Sequence, residues 1–190
     1  MKPRRDVKIP LTYQKAEVIY KLTFFFARTY LEKDDSAIHQ MLLTARSAML
    51  YIAKANAAAA TSAEMEIQLT QLAKARLIKL RMEYRDYLST RQMQIWEKDS
   101  DEAIEFRQKS KDSSLASTWY VGVAKESPPE TVANMCLCLL HQADCLLQWQ
   151  LTSLEKNFLE RNRLKEQILV ARVQSRQKSL KSPSTRHSQK

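Results

Sequence analysis

Glycine and proline are almost missing from this sequence. Its 190 residues hold one Gly and five Pro, and between Leu11 and Lys125 the two types are represented by Gly122 alone. Strands, hairpins and substrate-binding loops are normally punctuated by these residues, so their scarcity predicts long helices joined by short polar links. Glycine-rich phosphate loops and nucleophile elbows are excluded too, since both need backbone positions that Gly fills most easily. Cysteine is scarce as well. Cys136, Cys138 and Cys145 lie in one helical stretch, an odd number at spacings that suit no disulfide framework. The opening MKPRRDVKIP has no apolar core of a signal peptide, so reduced thiols and a cytoplasmic location are expected. The most apolar run, Val132–Leu151, is interrupted by Asn134, His141, Gln142, Asp144 and Gln148, too many polar groups for a membrane span.

Charge is present in quantity, and its placement is uneven. The formal net charge is +10. Residues 1–10 carry four Lys or Arg against Asp6, and residues 161–190 carry nine against Glu166 alone. That leaves eighteen basic and nineteen acidic residues in the body from 11 to 160. A neutral body with basic ends is expected to meet phosphates or another anionic surface, the alternative being a solvated tail that only aids solubility.

Periodicity supplies the elements. The first helix is expected from about Thr12 to Glu32, with Ala16, Ile19, Tyr20, Thr23, Phe24, Ala27, Tyr30 and Leu31 on its apolar stripe. Asp34, Asp35 and Ser36 offer caps for a second helix that carries Ile38, Met41, Leu42, Ala45, Met49, Ile52 and Ala53 inward and runs into Ala57–Ala60. Thr61-Ser62-Ala63-Glu64 reads as a capping box with Thr61 as the cap. The third helix, Ser62 to about Ser89, is expected to turn Ile67, Leu72, Ala75, Ile78, Met82 and Leu88 inward. A short amphipathic piece, Asp101–Lys109, is followed by an expected irregular stretch, Lys111–Ser127, that contains Gly122. The last main helix, about Glu130 to Glu160, starts at a proline pair and carries Ala133, Cys136, Leu139, Leu140, Ala143, Leu147, Leu151, Leu154 and Phe158. Residues 162–179 read as a basic helical extension and Leu180–Lys190 as a disordered tail. The expected fold is all-α: an antiparallel up-and-down four-helix bundle over 11–160, a basic arm at 1–10, a short extra helix, and a basic C-terminal extension over 161–190.

Taken in order, several stretches resemble a bacterial four-helix-bundle family, that of the ribosomal-RNA intervening-sequence proteins and the accessory variability proteins of retroelements. The carriers are Tyr13-Gln14-Lys15-Ala16-Glu17-Val18-Ile19-Tyr20, Gln40-Met41 with Ala45-Arg46-Ser47, Ala60 to Thr70, and Tyr84-Arg85-Asp86-Tyr87-Leu88 with Ile95-Trp96. Ala133-Asn134, Leu139 to Asp144, Leu154-Glu155-Lys156-Asn157-Phe158 and Ala171-Arg172 resemble the subgroup with a suffix to the bundle. The resemblance implies an all-α bundle without catalytic residues or cofactors, often a homo-oligomer. In the retroelement branch it implies a basic ring that binds nucleic acid and a reverse transcriptase; in the other branch it implies a ribosomal partner. Two departures stand out. Lys54-Ala55 replaces a Glu-Gly corner, and Arg161-Asn162-Arg163 replaces a Gly-Gly-Phe turn, which fuses the last helix with its basic extension.

The candidate sites follow from charge. Arg46, Lys54, Lys74, Arg76, Lys79, Arg81 and Arg85 put cations on the second and third helices, and Lys74, Arg81 and Arg85 share roughly one face. Glu64, Glu66, Glu83 and Asp86 on the third helix make a mixed solvated surface an equal alternative. Arg161, Arg163, Lys165, Arg172, Arg176, Lys178 and Lys181 are nearly free of acids and carry the stronger signal for phosphate contact. Trp119, Tyr120 and Trp149 have faces on which bases stack, but helix packing accounts for them better. Cys138, His141 and Cys145 share a helix face but lack a fourth metal ligand, so a packed core position is the expected reading. His141, Gln142 and Asp144 are expected to bond between helices rather than to catalyse. Two functions remain open at this point: a non-enzymatic, self-associating bundle that binds nucleic acid, chiefly RNA, and a protein adaptor working through its apolar fourth helix.

Overall fold

The computed structural model describes residues 10–33, 35–111 and 117–181, with side chains described up to Gln177. The basic arm at 1–9, Asp34 and the tail at 182–190, with its serines, lie outside these residues, as do the side chains of Lys178 and Lys181. The described residues form six helices and no strand: α1 Leu11–Tyr30, α2 Ser36–Ala58, α3 Ala63–Thr90, α4 Asp101–Ser110, α5 Ser117–Lys125 and α6 Pro129–Lys181. The protein is all-α. Among the described residues no helix is long and apolar enough to cross a membrane. The chain divides into two compact units, Met1–Leu151 and Thr152–Lys190.

The helix ends are set by side chains at the joints. The Asp35 carboxylate accepts from the Ala37 N–H at 2.8 Å and opens α2. Ser62, not Thr61, opens α3, accepting from the Met65 N–H at 3.2 Å, while the Thr61 hydroxyl donates back to the Ala58 carbonyl at the end of α2. The N-cap thus lies one residue later than the sequence suggested, because Thr61 satisfies an orphan carbonyl of the helix before it, and with Met65 in the third helical position no reciprocal box forms. Ser100 caps α4 through the Ala103 N–H at 3.3 Å, with Asp101 and Glu102 in the first turn where the helix dipole favours them. At the end of α3, Gln92 adopts φ 55°, the left-handed conformation. The Met93 N–H bonds to the Leu88 carbonyl at 2.9 Å and the Gln92 N–H to the Ser89 carbonyl at 3.1 Å. This is a Schellman turn made without glycine.

Burial corrects the expected inner face of α3. Leu72 is 45% exposed and Met82 59%, and of the six expected positions only Leu88 is fully buried. The buried seam is Glu66, Thr70, Ala73, Leu77, Leu80, Tyr84 and Tyr87, at alternating four- and three-residue spacing. Two polar residues and two tyrosines lie on that seam, which hides it from a search for aliphatic side chains. The seam packs with Leu22 and Phe26 of α1, with Met41, Ala45, Ala48 and Ile52 of α2, and with Leu139, Leu140, Ala143 and Leu147 of α6 in one apolar core. At its centre the Phe26 ring lies 5.1 Å from Tyr84 and 4.8 Å from Tyr87. The fully buried Tyr84 hydroxyl donates to Thr23 at 3.0 Å, and Thr23 in turn donates to the Ile19 carbonyl at 2.8 Å, so no hydroxyl of the group is left unpaired.

The stretch expected to be irregular, Lys111–Ser127, is helical over Ser117–Lys125. Burial outweighs its weak helix propensity: Tyr120 is 2% exposed and Ala124 0%, and Tyr30 closes the far end by donating to the Ser127 carbonyl at 2.9 Å. Gly122 has open space around the position of a Cβ, so its place in α5 owes nothing to backbone freedom.

Candidate nucleic-acid and anion-binding sites

The cations of the first unit divide by whether an acid meets them. On α3, Lys74 donates to Gln148 at 2.8 Å and lies 3.1 Å from Asp144, which also stands 3.8 Å from an Arg81 nitrogen. Two of the three basic residues expected to share a face therefore converge on one half-buried carboxylate of α6. Arg85 is exposed, and no ion pair or hydrogen bond holds it among the described residues. Arg46 and Lys54 of α2 are exposed, with the Lys54 ammonium 5.9 Å from the Tyr51 ring. Lys79 lies 3.7 Å from Glu83, whose carboxyl burial pushes above its ordinary range against the pull of Lys79.

Gln142 and Asp144 in the apolar part of α6 join helices, as their positions suggested, whereas His141 is exposed and meets Cys145 of its own helix. The Gln142 amide donates to the Ser110 hydroxyl of α4 at 2.8 Å, and the buried Lys15 of α1 donates to the Ser110 carbonyl. Burial lowers the pKa of Lys15 from its ordinary value. Asn134 is the most heavily used. Its amide nitrogen donates to the Gln94 carbonyl at 2.8 Å and the Glu130 carbonyl at 3.0 Å, and its oxygen accepts from the Trp96 N–H at 2.9 Å. One side chain thereby pins the non-helical segment 94–96 against α6.

That segment walls an open cleft of about 310 Å³ whose other sides are α3, α4 and α6. Arg81, Arg85, Lys98 and Arg107 line it against Glu97, with Trp96 and Leu137 among the apolar lining. Arg107 is braced by its Nε–H to the Ala103 carbonyl at 3.0 Å and by a second nitrogen to the Lys98 carbonyl. Reading the sequence selected Arg81 and Arg85 but not Lys98 or Arg107. The usable signal was Trp96 near Lys98, with Arg107 nine residues beyond Lys98 on the next helix.

The cysteines do not gather. Burial raises the Cys136 thiol to about 12, with the neighbouring Tyr84 hydroxyl opposing. Burial also raises the half-buried Cys138, with Arg107 opposing. Cys145 is exposed, 3.8 Å from the His141 ring. Among the described residues no three of His, Cys, Asp or Glu converge as a metal site would need. Trp119 and Tyr120 pack edge to face at 4.9 Å, while Trp149 stands exposed.

The second unit is different in kind. Over residues 161–177 every described side chain except half-buried Asn162 is exposed. Along the chain, the three- and four-residue spacing of Leu147, Leu151, Leu154 and Phe158 continues as Arg161, Lys165, Ile168 and Arg172. Arg161, Lys165, Arg172 and Arg176, at steps of four, seven and four, share one helix face, and Glu155, Glu160 and Glu166 fall off it. Arg163 is exposed on another face.

No family model, curated protein or solved structure matches this chain.

Proposed function

We propose that this chain is a non-enzymatic, self-associating four-helix-bundle protein that binds nucleic acid, chiefly RNA or a ribonucleoprotein, through its basic C-terminal unit. The observation that carries the reading is the exposed stripe of Arg161, Lys165, Arg172 and Arg176 on one face of α6, with no acid on that face. Cations at that spacing track a phosphate backbone and displace its counterions, a contact that reads no sequence. α1, α2, α3 and the 129–151 part of α6 are the four long members of the proposed bundle, and they supply most of its core. The sequence resemblance to the bacterial bundle family supports the same assignment, including a homo-oligomer with a reverse transcriptase or ribosomal partner.

A protein-adaptor role draws support from a different observation. The apolar side chains of α6 up to Leu147 are committed to the core, but Leu159, Leu164, Ile168, Leu169 and Val173 of the second unit are exposed. Fluorescence anisotropy of structured RNA and duplex DNA across a salt series separates the two readings. The full chain is expected to bind with a steep salt slope and a 1–160 truncation not to bind. Failure of the full chain to bind at low salt overturns the nucleic-acid reading and leaves the adaptor.

A further inference from the structure

The cleft of the first unit has no part in that reading, and its lining is selective in a way an ordinary surface groove is not. Three arginines and a lysine come from three separate parts of the chain: Arg81 and Arg85 from α3, Lys98 from the irregular segment, Arg107 from α4. Glu97 lines the cleft with them, and Arg81 also meets Asp144 at 3.8 Å. Like charges gathered from elements distant in sequence repel one another, so the arrangement is best satisfied by an anion among them.

Two of the donors, Arg107 and Arg81, are also held in place. Arg107 is braced by the Ala103 and Lys98 carbonyls, and a guanidinium has more N–H groups than those two contacts use. Arg81 leans on Asp144 at 3.8 Å, outside hydrogen-bond distance, and keeps its donors. Arg85 has no partner among the described residues. Several guanidiniums together suit a phosphate monoester better than a halide or a single carboxylate, because its three terminal oxygens and greater charge can meet more than one fork at once. Donors positioned in advance lose less entropy when the anion arrives.

The rest of the lining is apolar. Trp96 and Leu137 stand beside the cations, and the Trp96 backbone is fixed to α6 by Asn134 at 2.9 Å. An indole offers a flat ring a stacking surface. A volume of about 310 Å³ holds a single nucleotide-sized molecule and cannot admit a duplex. We propose that the cleft between α3, the 95–98 segment, α4 and α6 binds a phosphate monoester carried on a flat ring, as in a nucleoside monophosphate. The arginines would take the phosphate, and Trp96 and Leu137 the ring.

Such a group occurs as a free nucleotide and as the 5′-phosphorylated end of an RNA strand, and the experiment separates them. Adenosine 5′-monophosphate, adenosine and inorganic phosphate are titrated calorimetrically into the full chain. A short RNA with a 5′-phosphate and the same RNA with a 5′-hydroxyl are titrated alongside. The monophosphate should bind at least about tenfold more tightly than either of its halves. Arg85→Ala should weaken it by at least about tenfold, the usual loss for a charged hydrogen bond. Arg85 is exposed and unpartnered among the described residues, so this variant should keep the wild-type melting temperature. Trp96→Leu should weaken the monophosphate and leave inorganic phosphate unchanged. Arg172→Ala, in the C-terminal stripe, should change nothing, which keeps this site distinct from the nucleic-acid reading above. Binding of only the 5′-phosphorylated RNA, lost in Arg85→Ala, assigns the cleft to strand ends. Absence of binding by both phosphate monoesters, or binding that Arg85→Ala leaves intact, overturns the proposal.

Discussion

Residues 10–151 and 152–181 are both helical and both rich in Lys and Arg, yet their cations are placed in different circumstances. In the first unit Lys74 and Arg81 meet Asp144, Lys79 meets Glu83, and Lys15 is buried against a carbonyl. In the second, Arg161, Lys165, Arg172 and Arg176 stand exposed on one face with the acids elsewhere. A count of basic residues treats the two alike. The placement of the acids, which depends on which helix faces which, separates them. In the first unit Lys74, Arg81 and Lys15 fasten helices to one another, while Arg85 in the cleft stays open to an anion. In the second, nothing described neutralises the cations.

The apolar side chains sharpen the contrast and give the largest expected effect. Phe26 is enclosed by Tyr84 and Tyr87, so Phe26→Ala should cost about 3–5 kcal/mol. Ile168 is 52% exposed, so Ile168→Ala should stay within about 0.5 kcal/mol. Urea denaturation of the two variants measures both. An Ile168→Ala cost approaching that of Phe26→Ala would mean that the second unit is packed in solution.

Next in size is Asn134. Asn134→Ala removes three hydrogen bonds and leaves the Trp96 N–H and the Gln94 carbonyl without their partner. A loss of about 2–3 kcal/mol is expected, together with raised amide exchange over 94–96. Protection there equal to wild type would show that the clamp is not what holds the segment.

Gln92→Gly should act in the opposite direction. A non-glycine residue at φ 55° bears a steric cost that Gly escapes, so the variant should be more stable by about 1 kcal/mol. A thermal melt that shows destabilisation would contradict the Schellman turn at this joint.

The smallest effect concerns pH. Burial raises the Glu66 carboxyl above its ordinary 4.5, with a hydrogen bond from Gln150 opposing. A proton held more tightly in the folded state means that stability falls as pH rises from 4.5 through the folded value. Glu66→Gln should therefore raise the melting temperature at neutral pH and lose that advantage below pH 4.5. An advantage independent of pH would place the effect elsewhere.

Much of this fold was legible in the sequence. The scarcity of Gly and Pro announced long helices, and the stripe of α6 from Ala133 to Leu151 was read closely. On α2, Met41, Ala45 and Ile52 are buried as expected, but Ile38, Leu42, Met49 and Ala53 are half-buried, and the small residues Thr44, Ala48 and Ala55 take the inner places. The α3 seam was misread because Glu66, Thr70 and Tyr84 face inward while Leu72 and Met82 face out, which hydropathy alone cannot foresee. The α5 helix was missed because its support comes from Tyr120 and Ala124 packing on distant elements, not from local propensity. Of the candidate site residues, Lys74 and Arg81 were visible as charges, but their shared acid lies in α6, more than sixty residues away in sequence. Long-range pairing of that kind leaves no local pattern. The C-terminal stripe, by contrast, is a local helical property, and sequence spacing was enough to find it.

The proposed contact with nucleic acid belongs to the exposed C-terminal cations and not to those paired within the first unit. The most direct test is the salt dependence of single-stranded RNA binding by two variants of the full chain. Replacing Arg161, Lys165, Arg172 and Arg176 with Ala should lower the log–log salt slope by about 3, at roughly 0.7 for each lost phosphate contact. Replacing Lys74 and Arg81 with Ala should leave it unchanged. A slope that survives the first set of substitutions, or falls with the second, would contradict the account.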